Sequence, residues 1–596
     1  MTRFWGRRLL RPTACVLAIC LGAGPEGGPR SALAQEAASA VQDVTLQDVA
    51  LTLGETVLRA PRVTVSGTRL SKDDLIALLR GSGPTAAARL ARLDAASLNI
   101  PELRAENAGP GGTRQVILYR DVVAKDVRAG RIAELVGAGA TITVEGGPRT
   151  GTGTYGRIQA TDLDLTALAR LYGEPGDGKG AVQRVYGTFA IAEVAYVDEG
   201  GTAVKLARLE GKDFGGRQIP SSWTGAMQAF SGVDLEKAPP AERARVTGLA
   251  ADLFEAVSVG TLEATGLSVQ ETKGDAPFDL GIARMSYTGS GASLEEVAFS
   301  GAGARTRIGR LSLTDFSLGP TIAALRKFSA AVANPSQDDL RRLTPALGTL
   351  ALQDMSIDLP AEQPVKGRPP EPAAHLGVRS ASMTFGPPRD GVPTASRLSL
   401  SGLTLPASTV AGVPGLGSLG LYGYRDLDLN LVADTSWDEG TRELSVREIS
   451  LSGKDMGSLR LNGTVGGIGP EVFDPNAAVS GYAMLSATAK ALDLTIENGG
   501  LFERFIAAQS KVLSLKPEEL TQEYVTATAF GVPAILGNSA AAKAIGTAMA
   551  QFVAKPGRLS LSARPKNGNG LGVIDFSAAP TPGAVLDRLE INAKAN

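Results

Sequence analysis

The chain has 596 residues, 43% hydrophobic and 20% charged, with a formal net charge of −1, one His and two Cys. That length and apolar content suit a chain that buries a core, and exclude a disordered tail. No basic patch is interleaved with aromatics, so there is no nucleic-acid footprint, and 5% aromatics is thin for the girdles of a transmembrane barrel.

Residues 1–34 read as a signal peptide. Arg3, Arg7, Arg8 and Arg11 make a positive start, Ala14 to Gly24 an apolar core, and Ala32-Leu33-Ala34 a cleavage site before Gln35. Cys20 has the setting of a lipoprotein cysteine, but Ile19 fits poorly just before one. Arg7-Arg8 reads as an ordinary basic start rather than a twin-arginine signal. Cleavage takes both Cys15 and Cys20, so the mature chain has no disulfide or thiolate metal site. No later apolar run reaches the ~18 residues of a membrane-spanning helix. The expected location is the periplasm.

Along the chain one phrase recurs: apolar–x–apolar–x–(Asp or Gly)–apolar–x–apolar. Weak copies carry Asp48 (Leu46–Leu51) and Asp162 (Ile158–Leu165). Full copies run Leu262 to Val269 around Gly266, and Leu311, Leu313, Asp315, Phe316, Leu318. Two more follow: Leu350, Leu352, Asp354, Met355, Ile357, then Leu398, Leu400, Gly402, Leu403, Leu405. Alternation is the period of a half-buried strand. The apolar parity flips at each Asp or Gly, which predicts a bulge, or else a tight turn, in a backbone these residues tolerate. With a bulge, the apolar positions line one continuous face.

Between the strands, helices are expected after the Ser71–Asp74 and Ser336–Asp339 capping boxes, from Pro239-Pro240 to about Val257, and over Thr321–Val332. The segment 500–556 is the most helical, with Leu501, Phe505, Ala508 and Val512 as one stripe and a second start at Pro517. A hairpin joins Leu427–Leu431 to Leu444–Ile449 through the loop Asp434–Gly440. Pro/Gly-rich loops fall at 174–180, 360–372 and 386–393. The expected division is 1–34 signal, 35–235 β-rich, 236–345 helix–strand–helix and 346–596 β-rich. The fold class is mainly β with interspersed helices (α+β): an elongated, curved, mostly antiparallel sheet.

Catalytic motifs are weak. His375 follows a Pro-rich loop with no nucleophile or orienting carboxylate in view. Gly151–Gly156 and Gly415–Gly420 match G-x-G-x-x-G but lead into strand-like alternation, which argues against a dinucleotide site. Asp73-Asp74, Asp338-Asp339 and Glu518-Glu519 sit at helix starts and read as caps; Glu295-Glu296 is the remaining acidic pair. The Asp of the phrase alternates with Gly, so backbone geometry explains it better than calcium. No catalytic residue, metal site or cofactor is assigned.

The repeated phrases over Val259–Gly467, the signal, and Leu492–Leu501 leading into helices resemble the AsmA-like and YdgA-like envelope proteins of Gram-negative bacteria. That resemblance implies a curved sheet with an apolar groove, linked in AsmA-like and TamB-like members to lipid movement between membranes. Those members are membrane-anchored, whereas cleavage would remove the anchor here. The expected function is a non-enzymatic envelope protein that binds lipid or envelope proteins. A surface or adhesion protein and a carboxylate-dependent hydrolase are the alternatives.

Overall fold

The computed structural model describes residues 40–595, apart from 54–55, 81–83, 109–112, 147–149, 235–236, 274–276, 332–340, 362–371, 414, 475, 573–574, 576–578 and 580. The signal segment, the Ser336–Asp339 box and most of the 360–372 loop thus lie outside the described residues. The chain is mostly β, 51% strand against 26% helix. It forms two compact units: residues 1–295 with 322–334, and 296–321 with 335–596. The soft boundaries at 235 and 345 each fall within one unit.

The first unit is an antiparallel meander. Its strands are β1 (Gln42–Leu53), β2 (Thr56–Thr68), β3 (Ala95–Ala108), β4 (Arg114–Arg128), β5 (Arg131–Gly137) and β6 (Gly139–Glu145). They continue as β7 (Gly151–Tyr155), β8 (Ile158–Asp164), β9 (Gln183–Asp198), β10 (Thr202–Gly216), β11 (Val257–Glu271) and β12 (Phe278–Thr288). Both β5 and β6 pair with β4, and both β7 and β8 pair with β9, as broken halves of longer strands. β13 (Gly291–Gly301) has residues in both units.

Helices cover much of this unit's apolar face. On α1 (Lys72–Arg80), Leu75 and Leu78 pack onto Val44, Leu46, Val63, Val65 and Val127. The Ser71 hydroxyl donates to Asp74 Oδ2 at 2.6 Å and accepts from the Asp74 N–H at 3.1 Å, closing the expected cap. Farther along, α2 (Ala86–Leu90) is followed by α3 (Leu165–Gly173), α4 (Trp223–Gly232) and α5 (Pro240–Ala256). Leu171, Trp223, Ala226 and Leu249 from the last three close over Val185 and Phe214. Fully burying a Leu or Val side chain contributes roughly 1.5–3 kcal/mol, so these clusters fix the helices to the sheet.

The strands reverse their facing in step. In β4 the buried residues are Val116, Ile117 and Tyr119, then Val122 and Ala124, then Val127; apart from Val116 they keep one face, which changes parity twice. The switches fall at Asp121 (φ 50°) and Asp126 (φ 51°), both left-handed. Register with β3 is nevertheless unchanged, because β3 switches opposite them: Ala105 faces Ile117, Ile100 faces Val122 and Ala95 faces Val127. Such switches line up into a crease across the sheet. Left-handed Gly67, Asp126, Asp162 and Asp213 alternate, strand by strand, with Ala96, Ala133, Gly187 and Gly260. A left-handed Asp or Gly on one strand thus meets a Cβ-poor residue on the next.

The second unit continues the pattern with β14 (Ala304–Thr314), β15 (Thr349–Leu359), β16 (Ala374–Phe385) and a two-residue ladder, β17 (Pro388–Arg389) with β18 (Val392–Pro393). Then come β19 (Ala395–Pro406), β20 (Asp426–Asp438), β21 (Glu443–Gly453), β22 (Gly457–Gly466), β23 (Thr488–Asn498), β24 (Arg558–Pro565), β25 (Leu571–Gly572) and β26 (Leu589–Ala595). In chain order α6 (Gly319–Ala331) follows β14, but most of it belongs to the first unit. Within the second unit α7 (Ala477–Met484) lies between β22 and β23, and α8 (Leu501–Leu513), α9 (Pro517–Thr526) and α10 (Ala540–Ala554) between β23 and β24.

Three expectations need correction. The expected strand through Leu318 ends at Thr314. Asp315 (φ 58°) stands against Gly348 (φ 58°), and the chain passes through a lone Ser317–Ala346 bridge into α6, so Phe316 and Leu318 leave the ladder. Asp434 is not in a hairpin loop. It lies in β20 opposite Glu448, buried, and Arg397 donates to it at 2.7 Å, which compensates its carboxylate. On α8, Val512 is 76% exposed and Ile506 is buried instead, because Phe505 turns towards Tyr422 and Tyr524.

Candidate apolar binding face

The six Asp and Gly positions of the phrase all have left-handed backbone: Asp48 (φ 49°), Asp162 (50°), Gly266 (65°), Asp315 (58°), Asp354 (52°) and Gly402 (62°). Register shifts only at Gly402, between Leu400 and Leu403 against β20. At Asp48, Asp162, Gly266 and Asp354 it is kept. An inserted residue, as in a simple bulge, is therefore unnecessary there. The neighbouring strand turns over at the same point, as Arg379 does beside both Asp354 and Gly402. Sequence reasoning missed these partners: some are small residues in mid-strand, such as Gly187 and Gly260, but Arg379 carries no such signal.

On the strand side of that crease, the phrase residues fall into two cross-strand rows. One runs Leu313, Leu350, Met383, Leu398, Ala433, Ile449, Leu461, Leu494, Leu561, each opposite the next from β14 to β24. The other, two residues along each strand, runs Leu311, Leu352, Ala381, Leu400, Leu431, Leu451, Leu459, Ile496, Leu559. The intervening row belongs to the opposite face and is mostly polar: Ser312, Ala351, Ser382, Ser399, Val432, Ser450, Arg460. Thr349 and Thr384 share a hydrogen bond there at 3.0 Å.

Neither apolar row contains a buried residue. Leu350 is 44% exposed, Ile449 40%, Leu451 37% and Leu459 40%. Across the crease the situation differs. Met355, Val378, Leu403 and Leu429 lie opposite one another in turn, and Ile357 faces Leu376. There Leu405, Leu427 and Leu429 are buried under Leu419, Tyr424 and Met456, with Leu501 of α8 at the margin. The same repeat thus supplies a closed core on one side of the crease and an open apolar strip on the other.

The remaining candidates are structural in setting. His375 lies on β16, not in a loop, and its Nδ1 is 2.7 Å from Asp358 Oδ1 on β15, with both side chains about 60% exposed. An exposed cross-strand pair lacks the dry, oriented surroundings of a catalytic dyad. Gly151 to Tyr155 form β7, where a Cβ on Gly151 would stand 2.4 Å from the Val197 carbonyl oxygen. That glycine allows close strand approach. A cavity of about 470 Å³ holds Lys179, Arg217, Asp252, Glu255 and Arg326. Arg326 donates to Asp252 and, at 2.7 Å, to Glu255. This hydrogen bond, with the nearby Arg217, holds the Glu255 carboxyl below its ordinary value. Among the described residues no group of three or more His, Cys, Asp or Glu is placed to hold a metal, and no helix is long and apolar enough to cross a membrane.

A family model described as "Uncharacterized protein" matches residues 450–596. No curated protein matches the chain, and no solved structure does.

Proposed function

We propose that this chain is an exported, non-enzymatic lipid-binding protein of the cell envelope, and that hydrocarbon chains lie along the open rows of its second unit. The carrying observation is the uninterrupted double row from Leu313 and Leu311 to Leu561 and Leu559, half-exposed at Leu350, Ile449, Leu451 and Leu459. Adjacent strands are about 4.8 Å apart, so the strip repeats on the scale of a few methylene groups. It offers no polar side chain to satisfy, and the ladder's backbone groups are already paired. A flexible acyl chain fits such a surface better than a partner that needs shaped pockets. We read the sheet as curved, its twist accumulating over many strands with the apolar rows inside.

The test is lipid retention. Protein purified from periplasm should carry phospholipid detectable by native mass spectrometry, and a polyene fatty acid should fluoresce on binding. Ile449→Asp with Leu459→Asp should abolish both. A wild-type protein with no lipid and no probe binding would refute the reading. The same preparation tests export, since its N-terminus should be Gln35.

A further inference from the structure

α7, Ala477–Met484, is an apolar helix with no buried residue. Val479 is 40% exposed, Tyr482 77%, Met484 47% and the following Leu485 57%. No charged residue occurs from Asn476 to Ala489. The apolar character is not confined to one face, so the helix has no polar side to turn to water. A helix apolar all round belongs in an apolar medium. Here it packs along the short Pro470–Phe473 turn.

Both of its ends are capped by side chains. The Ala478 N–H donates to Asn476 Oδ1 at 2.9 Å, and the Asn476 N–H donates to Asp474 Oδ1 at 2.7 Å. The Ser486 hydroxyl lies 2.6 Å from the carbonyl oxygens of both Gly467 and Ala483 and donates its one proton between them. The nearest following charge, Lys490, is paired with Glu443 at 2.6 Å. Backbone groups satisfied within the chain are what burial in hydrocarbon requires. Eight residues span only about 12 Å, far short of a ~30 Å bilayer core, so the helix suits one leaflet and not a crossing.

We propose that α7 inserts into the surface of a lipid bilayer and seats the open rows beside it. The helix joins β22 to β23, which carry Leu459, Leu461, Leu494 and Ile496 of those rows. The occupant follows from the helix's symmetry: a protein groove would cover one side, whereas a leaflet takes up every side that the Pro470–Phe473 turn leaves open. The uncharged segment predicts binding that depends on hydrocarbon and not on headgroup charge. What the docking delivers rests on the lipid-binding reading; whether it occurs does not.

Flotation with phosphatidylcholine vesicles tests it. The mature protein should float equally with neutral and phosphatidylglycerol-containing vesicles, and in high salt. Tyr482→Glu with Leu485→Glu should reduce flotation to background while keeping fatty-acid binding. Ile449→Asp with Leu459→Asp should float but lose fatty acid. Because the mature chain has no cysteine, Ser480→Cys carrying a polarity-sensitive dye should brighten severalfold on vesicle addition. Absence of flotation and of brightening would overturn the proposal. So would a wild-type dimer that the Tyr482→Glu, Leu485→Glu variant converts to monomer, since α7 would then bind a second copy.

Discussion

Asp162 and Gly187 stand against each other between β8 and β9: a Cβ on Gly187 would lie 3.0 Å from Asp162 Oδ2 and 3.3 Å from its Cβ. The left-handed turn of one strand thus brings its side chain over the backbone of the next. Two strands over, a Cβ on Gly260 would stand 2.8 Å from the Lys212 carbonyl oxygen and 3.0 Å from Asp213 Cβ.

The two glycines should therefore differ under substitution. Gly187→Ala meets the end of a side chain that can swing away, and should cost under about 1 kcal/mol. Gly260→Ala meets backbone and should cost about 1–3 kcal/mol. At the left-handed position itself, Asp162→Ala should lose about 1 kcal/mol, whereas Asp162→Gly should be near neutral. The Arg184 ion pair with Asp162 is exposed on both sides and adds little. Urea unfolding of each variant checks the order.

Leucines of one repeat should respond differently on the two sides of the crease. Leu427, 1% exposed, should cost about 2–5 kcal/mol when cut to Ala. Leu350→Ala, at 44% exposure, should cost about 1 kcal/mol or less, because much of its surface already meets water. Equal losses in thermal unfolding would mean that the strip is covered in solution.

Acid should weaken the first unit through Glu255. Its folded value is lowered, first by the Arg326 hydrogen bond and also by the charges of Arg326 and Arg217. A lowered carboxyl contributes stability that is present above its ordinary value of 4.5 and lost as pH falls through the folded value. Denaturation midpoints should fall with pH below about 4.5, and Glu255→Gln should flatten that slope while lowering stability at neutral pH.

Removing the α1 cap should show the same economy of local contacts. Ser71→Ala should cost about 1 kcal/mol, and Asp74→Asn should cost less, since an amide can still accept from the Ser71 N–H and hydroxyl. Hydrogen exchange at the first turn of α1 reads the difference.

Strand content, antiparallel pairing and the special positions were legible because alternation and its phase flips are written in the residues themselves. Asp354 and Gly402 differ chemically but share a left-handed backbone, which the flip alone revealed. The end of β14 was not legible: Phe316 and Leu318 keep the pattern, but Asp315 meets Gly348, a tertiary partner more than thirty residues away. Nor was α7, since a short uncharged run such as 476–489 has no period to distinguish a core strand from an exposed helix. That Leu427 is covered depends on the placement of Leu419 and Tyr424, which alternation does not encode.

Within each unit, strands pair with strands close by in the chain. Among the described residues, none of these ladders waits for a partner from the far terminus. A chain emerging N-terminus first can close each of these ladders as its second strand arrives. Loop-closure costs stay small at every step. By the same logic, a duplicated or deleted pair of strands changes the length of the apolar strip in increments of one hairpin without rewiring the rest.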